Sequence, residues 1–178
     1  MNLRVNVAQL MKEPVGSTCS HGFDQRFEPL GDEQPTIHAR GNVRLTKSVD
    51  GAWVTGKVDA TVESVCSRCL ALFGHLAHVE FEEKYLSSVD IAVGRRLRAG
   101  GETENDEFII DEHHTLDLAE AIRQHALAAV PINPLCRTDC LGLCQVCGAD
   151  LNEGPCHEIQ KIDPVWASLQ QLLKGKQG

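Results

Sequence analysis

Apolar and polar positions alternate clearly through the first half of the chain. From Thr36 onward, Ile37, Ala39, Gly41, Val43 and Leu45 are interleaved with His38, Arg40, Asn42, Arg44 and Thr46. Side chains on a strand point alternately to its two faces, so this period predicts a strand with one buried side. Asp50-Gly51 then supplies a tight turn, where both residue types tolerate positive φ. A second run places Val54, Gly56, Val58, Ala60 and Val62 against Thr55, Lys57, Asp59, Thr61 and Glu63. A third places Phe73, His75, Ala77, Val79 and Phe81 against Gly74, His78, Glu80 and Glu82. Together they predict an antiparallel meander of three strands, with Cys66-Ser67-Arg68-Cys69 at its second bend.

The flanks are less regular. Leu3, Val5 and Val7 alternate with polar neighbours and predict a short strand, after which Gly22, Pro29, Gly31 and Pro35 punctuate a stretch expected to be loop. Residues 87–106 read as a solvated connection. It carries the basic cluster Arg95, Arg96 and Arg98, and six acids follow between Glu102 and Glu112. Glu107 to Asp111 is expected to add one more short strand.

A helix is predicted from Leu116 to Val130, with Thr115 as N-cap and Asp117 and Glu120 suited to its positive end. Leu118, Ala119, Ile122, Ala126 and Ala129 form its apolar side, and Pro131 and Pro134 end it. His113, His114 and His125 are read as surface or capping residues. A last helix is predicted from Asp163-Pro164, with Val165, Leu169, Leu172 and Leu173 as its stripe. No repeat or low-complexity segment is visible.

The expected fold is therefore α+β: an antiparallel meander with two principal helices and a cysteine-rich, zinc-binding segment between them. Residues 1–36 form an N-terminal strand and loop, 37–112 the sheet region with the first Cys-x-x-Cys, and 113–178 the helix, cysteine segment and final helix, all expected to pack as one domain.

Composition narrows the function. The chain has 178 residues, 42% of them hydrophobic, and is long enough to bury a core without metal. Its formal charge of -8 lacks the overall basic footprint of a nucleic-acid-binding domain, so contact with RNA would need a local patch or a partner. Polar residues interrupt every apolar run of MNLRVNVAQL, and no stretch reaches the length that spans a bilayer. The expected location is the cytoplasm, with no membrane partner. Disulfides are rare there, so eight cysteines call for another explanation.

Cys66/Cys69 and Cys144/Cys147 share the spacing at which two thiolates point at one ion, and Cys136, Cys140 and Cys156 lie close to the second pair. Gly148 eases the turn after Cys147. With His157 these seven cysteines make eight donors, enough for two four-coordinate zinc sites. One assignment joins Cys66 and Cys69 to Cys136 and Cys140, leaving Cys144, Cys147, Cys156 and His157 for a second ion. Another joins the two close pairs in a single ribbon-like site, so one zinc or two are expected. Cys19 stands apart.

A thioredoxin-like pair belongs at a helix start in a βαβ unit, whereas Cys66 lies between antiparallel strands. Pro155-Cys156-His157-Glu158 has the wrong order and spacing for a zinc deaminase, and the common hydrolase and phosphate-loop motifs are absent. Closed structural zinc is the expected role. A zinc-dependent hydrolase or nuclease, a redox switch, and an RNA-binding face built on Arg40, Arg44 and Lys47 are the alternatives.

Taken as a whole, CSRCL at 66–70, AVPINPLCRTDCLGLCQVCGADLNEGPC at 129–156 and DPVWASLQQLL at 163–173 closely resemble the YceD family, the large ribosomal RNA subunit accumulation proteins. The resemblance runs from about Ile37 to Leu173. It implies a non-enzymatic factor supporting accumulation of large-subunit ribosomal RNA and ribosome assembly, with ribosomal proteins or a pre-ribosomal particle as partners. It also implies a cysteine at the position that Glu158 occupies, which leaves His157 as a substitute donor by adjacency.

Overall fold

The structure is a computed structural model that describes residues 3–29, 34–88 and 108–156. Four long strands build the main sheet: β2 (Thr18–Phe27), β3 (Ile37–Lys47), β4 (Gly51–Val65) and β5 (Leu72–Ser87), preceded by β1 (Arg4–Asn6) and α1 (Ala8–Lys12). After them come β6 (Ile109–Ile110), β7 (Thr115–Asp117) and α2 (Ala119–Ala128). The sheet order is β2-β3-β4-β5-β6, antiparallel throughout except for the parallel edge pair β5–β6, and β1 pairs with β7 in a separate ribbon.

The period-two pattern translates into burial. Ile37, Ala39, Val43 and Leu45 of β3 are buried, as are Val54, Val58, Ala60 and Val62 of β4, while their neighbours mostly face out. On β5, Ala77, Val79, Phe81 and Tyr85 complete the inner face. The core is closed by Leu10 and Met11 of α1 together with Leu118, Ala121, Ile122 and Ala126. Gly56 is opposite Phe81 in the register, and a Cβ there would fall inside the Phe81 ring. The absent side chain is what lets that ring lie flat on the sheet.

Three expectations are corrected. Residues 18–27, read as loop, form the edge strand β2, paired with β3 along its whole length from Thr18↔Thr46 to Phe27↔Ile37. Most of β2 is exposed on both faces, so it carries no alternating signature. Thr115 is not an N-cap. Thr115–Asp117 pairs with β1, and the helix begins only at Ala119, whose N–H donates to Asp117 Oδ1 at 2.9 Å. Leu116 and Leu118 are both buried, the two-residue spacing of a strand face, and the ladder to β1 pairs Leu116 with Val5. Ala129 lies beyond the helix and is exposed.

The described residues are mostly β, and the two helices among them, α1 and α2, both precede the cysteine segment. The helix expected after it, over residues 163–173, lies outside the described residues, as does the Arg95, Arg96 and Arg98 cluster. No helix among the described residues is long and apolar enough to cross a membrane.

Of the three histidines read as surface or capping residues, His113 is exposed and His125 packs. His125 stacks on Phe81, ring centroids 5.1 Å apart, and its Nε2 lies 2.9 Å from Glu83 Oε1. The His114 carbonyl accepts from Val7 N–H at 2.8 Å. Lys47 turns away from the strand face: its Nζ donates to the carbonyls of Met11 and Glu13, tying the end of β3 to the end of α1.

Candidate metal centre

The β4–β5 connection is a knuckle. Cys66 N–H donates to the Ala71 carbonyl at 2.9 Å and Leu70 N–H to the Cys66 carbonyl at 3.0 Å. Closing this turn puts Leu70 at φ 61°, the left-handed region that side chains resist. The segment after α2 contains a second knuckle with the same two bonds. Cys144 N–H donates to Ala149 O at 2.8 Å, and Gly148 N–H to Cys144 O at 3.0 Å. There Gly148 takes the left-handed position, at φ 75°. One backbone design thus serves both Cys-x-x-Cys pairs, with leucine strained where its counterpart has glycine. Leu70→Gly should stabilise the protein by up to about 1 kcal/mol, offset in part by glycine's greater unfolded freedom. Urea denaturation checks this; a loss of stability would show that the exposed Leu70 side chain has contacts worth more than the strain.

The first knuckle is stitched to the segment after α2. Ser67 N–H donates to Pro134 O at 2.8 Å, Leu143 N–H to Arg68 O at 3.2 Å, and Arg68 Nη1 to Cys140 O at 2.8 Å. Gly142, at φ 77°, lets the chain pass close to Arg68: an added Cβ would sit 3.1 Å from the Arg68 carbonyl oxygen. This docking brings together Cys66, Cys69, Cys136 and Cys140, whose sulfurs all lie within 4.8 Å of one another. Cys66 Sγ is 3.8 Å from Cys140 Sγ, and Cys69 Sγ is 3.7 Å from Cys136 Sγ. A tetrahedral ion with metal–sulfur bonds of about 2.3 Å requires sulfurs about 3.8 Å apart, so this donor set can hold a metal ion. Cys66, Cys69 and Cys140 are buried and Cys136 is half-buried.

Electrostatics favour a thiolate here. Backbone hydrogen bonds from Cys136, Cys69 and Arg68 bring the Cys66 thiol down to about 6 against the cost of desolvation. The Cys136 thiol is pushed up to about 12, first by burial and then by the sulfurs around it. At Cys69 the Ala71 amide pulls downward, but burial and the Cys66 sulfur outweigh it and the net shift is upward. Four sulfurs packed together cannot all ionise without a cation between them, which is the condition that a divalent ion relieves.

Cys144, Cys147 and Cys156 form a second group. Cys156 Sγ lies 3.3 Å from Cys144 Sγ and 3.2 Å from Cys147 Sγ. Cys144 is lowered to about 7, chiefly by the backbone amides of Cys147 and Val146. All eight cysteines are thiols. His157, the expected fourth donor, lies outside the described residues. The sulfurs thus group as the first of the two assignments open from sequence, and the two Cys-x-x-Cys pairs do not share a site. Cys19 is exposed on β2 and belongs to neither group.

Two contributors carried no sequence signal as site residues. Asn152 Oδ1 accepts from Leu141 N–H at 2.8 Å and from Arg137 Nη2 at 2.6 Å, while its Nδ2 lies 3.5 Å from Cys140 Sγ. It therefore couples the second segment to a sulfur of the first group, the kind of outer hydrogen bond that orients a ligand. Arg68 sits between the cysteines of its own knuckle; its position was visible, its bond to Cys140 O was not.

Fold and site define a predominantly β protein whose longest hairpin docks on a cysteine-rich segment able to hold metal. The chain belongs to the YceD family, described as large ribosomal RNA subunit accumulation protein, whose model matches residues 54–173. The match begins at Val54 rather than near Ile37, so β1 to β3 precede it. The chain is 34% identical over 134 residues to uncharacterized proteins of Mycobacterium tuberculosis and Mycobacterium bovis, covering 74% of this chain and 60% of each relative. A Mycobacterium leprae protein is 31% identical over 133 residues, or 58% of its length. The chain therefore spans about 60% of the curated relatives it matches. No solved structure matches it.

Proposed function

We propose that this protein is a non-enzymatic, cytoplasmic factor in assembly of the large ribosomal subunit, supporting accumulation of its RNA, with structural zinc in its cysteine clusters. The supporting observation is the four-sulfur group of Cys66, Cys69, Cys136 and Cys140, with its tetrahedral-edge spacings, in a chain of the YceD family. Zinc is the ion of choice for all-thiolate tetrahedral sets. When bound there, it supplies cross-linking rather than reactivity, because four protein ligands leave no position for a water nucleophile. Cys144, Cys147 and Cys156, with His157 as fourth donor, would hold a second zinc.

In this reading the sheet presents a rigid surface, and the zinc segment fixes a recognition element at one end of it for a ribosomal protein or a pre-ribosomal particle. The acidic balance of the chain suits basic ribosomal partners. Depleting the protein should lower mature large-subunit RNA relative to small-subunit RNA and reduce the large-subunit peak on gradients. Re-expression of the wild-type chain should restore both. A ratio that stays constant through depletion would refute the role.

A further inference from the structure

The outer face of β2–β4 is the surface that the metal reading does not use. The register places Arg44 between Ser20 and Thr55, in a row running straight across three strands. The next row toward one end holds Asn42 and Lys57, and the next toward the other end holds Thr46 and Trp53. Across these three rows, from Thr18 to Gly22 on β2, Asn42 to Thr46 on β3 and Trp53 to Lys57 on β4, no outward position carries a carboxylate. On β5 the same rows continue outward as Lys84, Glu82 and Glu80, so the carboxylate-free area ends at β4, in a chain of formal charge -8.

Four further features converge there. Gly22 leaves one corner of the grid without a side chain, and a shallow depression of about 250 Å³ opens between Ser20, Asn42, Arg44, Thr55 and Lys57. Trp53, one of two tryptophans, is 40% exposed at the grid's edge, with Lys84 Nζ 6.0 Å from its ring centroid. Arg44 engages in no ion pair among the described residues. Lys57 pairs with Glu80 at 2.8 Å, but both side chains are more than 70% exposed, so a phosphate can displace that carboxylate at small cost.

We propose that this face binds single-stranded RNA, with a base stacked on Trp53 and the adjoining phosphates held by Arg44 and Lys57. Arg44, Lys57 and the hydroxyls between them complement a phosphodiester once Glu80 is displaced, and an exposed ring beside them supplies the stacking that distinguishes a nucleic-acid platform from a plain anion site. The sheet is the support: cross-strand neighbours on one face stand about 5 Å apart, so ring and cations fall within one or two nucleotides of each other. Arg40, the other arginine of the expected RNA face, lies one row beyond Asn42, between Asp24 and Asp59, where carboxylates return and mark the edge of the patch; Lys47 is withdrawn into its contacts with α1. β2 and β3, which carry part of this face, precede the residues that the family model matches. The inference rests on the proposed ribosomal-RNA role only for its biological setting, since it can be tested on purified protein.

The test uses the full, zinc-loaded chain and a dye-labelled single-stranded RNA of mixed sequence, about 10 nucleotides long, read by fluorescence anisotropy at low salt. Arg44→Glu and Trp53→Ala should each weaken binding by about tenfold or more, and Arg44→Glu should also flatten the salt dependence. Arg4→Glu on β1 makes the same charge change off the face and should leave affinity unaltered. In a Trp166→Phe background, RNA should quench the remaining Trp53 emission. Arg4, Arg44 and Trp53 are exposed, so circular dichroism and zinc content of their variants should match wild type. Absence of binding, equal affinity of the Arg44 and Trp53 variants, or heparin competing as well as RNA does would overturn the proposal. Those results would leave the depletion phenotype intact, whereas a failed depletion experiment would leave the binding result intact.

Discussion

Replacing Cys66 and Cys140 together with serine should remove one zinc per chain and release the segment around residues 134–154 while the sheet stays folded. The two sulfurs face each other at 3.8 Å across the proposed site, and each comes from a different half of the docking. The sheet core shares no buried residue with the cysteine cluster: the former is built on β3, β4, β5 and the helices, the latter on Cys66, Cys69 and Cys140 with Phe73, Leu135 and Leu143 against them. A cluster this small cannot hold its loops by apolar burial alone, so the proposed cross-link is expected to do so. Amide-exchange protection at Ser67 and Leu143 should fall by about a thousandfold or more, with Val43 and Val58 unchanged. Metal analysis and exchange on the same sample decide the matter. Full protection in the metal-free variant would mean that hydrogen bonds alone stitch the knuckle to the segment.

The second large effect is expected at Tyr85. Its ring is fully buried, meets Phe108 edge-on at 5.3 Å between centroids, and its hydroxyl donates to the Asp117 carbonyl at 2.9 Å. It thereby ties β5 to the junction where β7 gives way to α2. Burial comes first in holding the phenol's pKa well above its usual range, with Asp117 and Glu83 adding to it, so the donor keeps its proton at any physiological pH. Tyr85→Ala leaves both a cavity and an orphaned carbonyl and should cost about 4 kcal/mol. Tyr85→Phe keeps the ring and should cost about 1 kcal/mol. Urea unfolding of the two variants separates packing from the hydrogen bond; near-equal losses would place the whole effect in the bond.

How far the sequence could be read follows from what each element buries. β3, β4 and the middle of β5 bury one face and expose the other, so Val54 through Val62 announced both a strand and its orientation. β2 has solvent on both sides for most of its length, and Gly22 at its centre looked like loop punctuation when it is a pairing position opposite Asn42. Leu116 and Leu118 have the spacing of a strand face, but Leu118 also opens the helical stripe of Ala119, Ile122 and Ala126, which drew the helix start too early. The choice depended on β1, which lies more than a hundred residues earlier in the chain and which no local pattern could summon. The cysteines announced their chemistry by spacing but not their partners. Pairing was decided by docking, through Ser67 to Pro134 and Arg68 to Cys140, between groups that sequence separates by about seventy positions. Asn152 stayed hidden for the same reason, since an asparagine in GADLNEG has no signature until a sulfur stands beside it.

That separation has a consequence for synthesis. The two cysteines of the β4–β5 knuckle leave the ribosome early, as an incomplete pair of donors with a strained leucine beside them. Their partners at 136 and 140 follow only after β5, β6, β7 and α2 have been made. Two thiolates bind zinc far more weakly than four, so a nascent chain halted before Cys136 has little means of retaining the ion. On the proposed zinc reading, metal uptake at this site would report that translation has passed α2 and that the hairpin has found its seat. On the same reading, a truncated product would betray itself by an empty knuckle, long before any defect showed in its sheet.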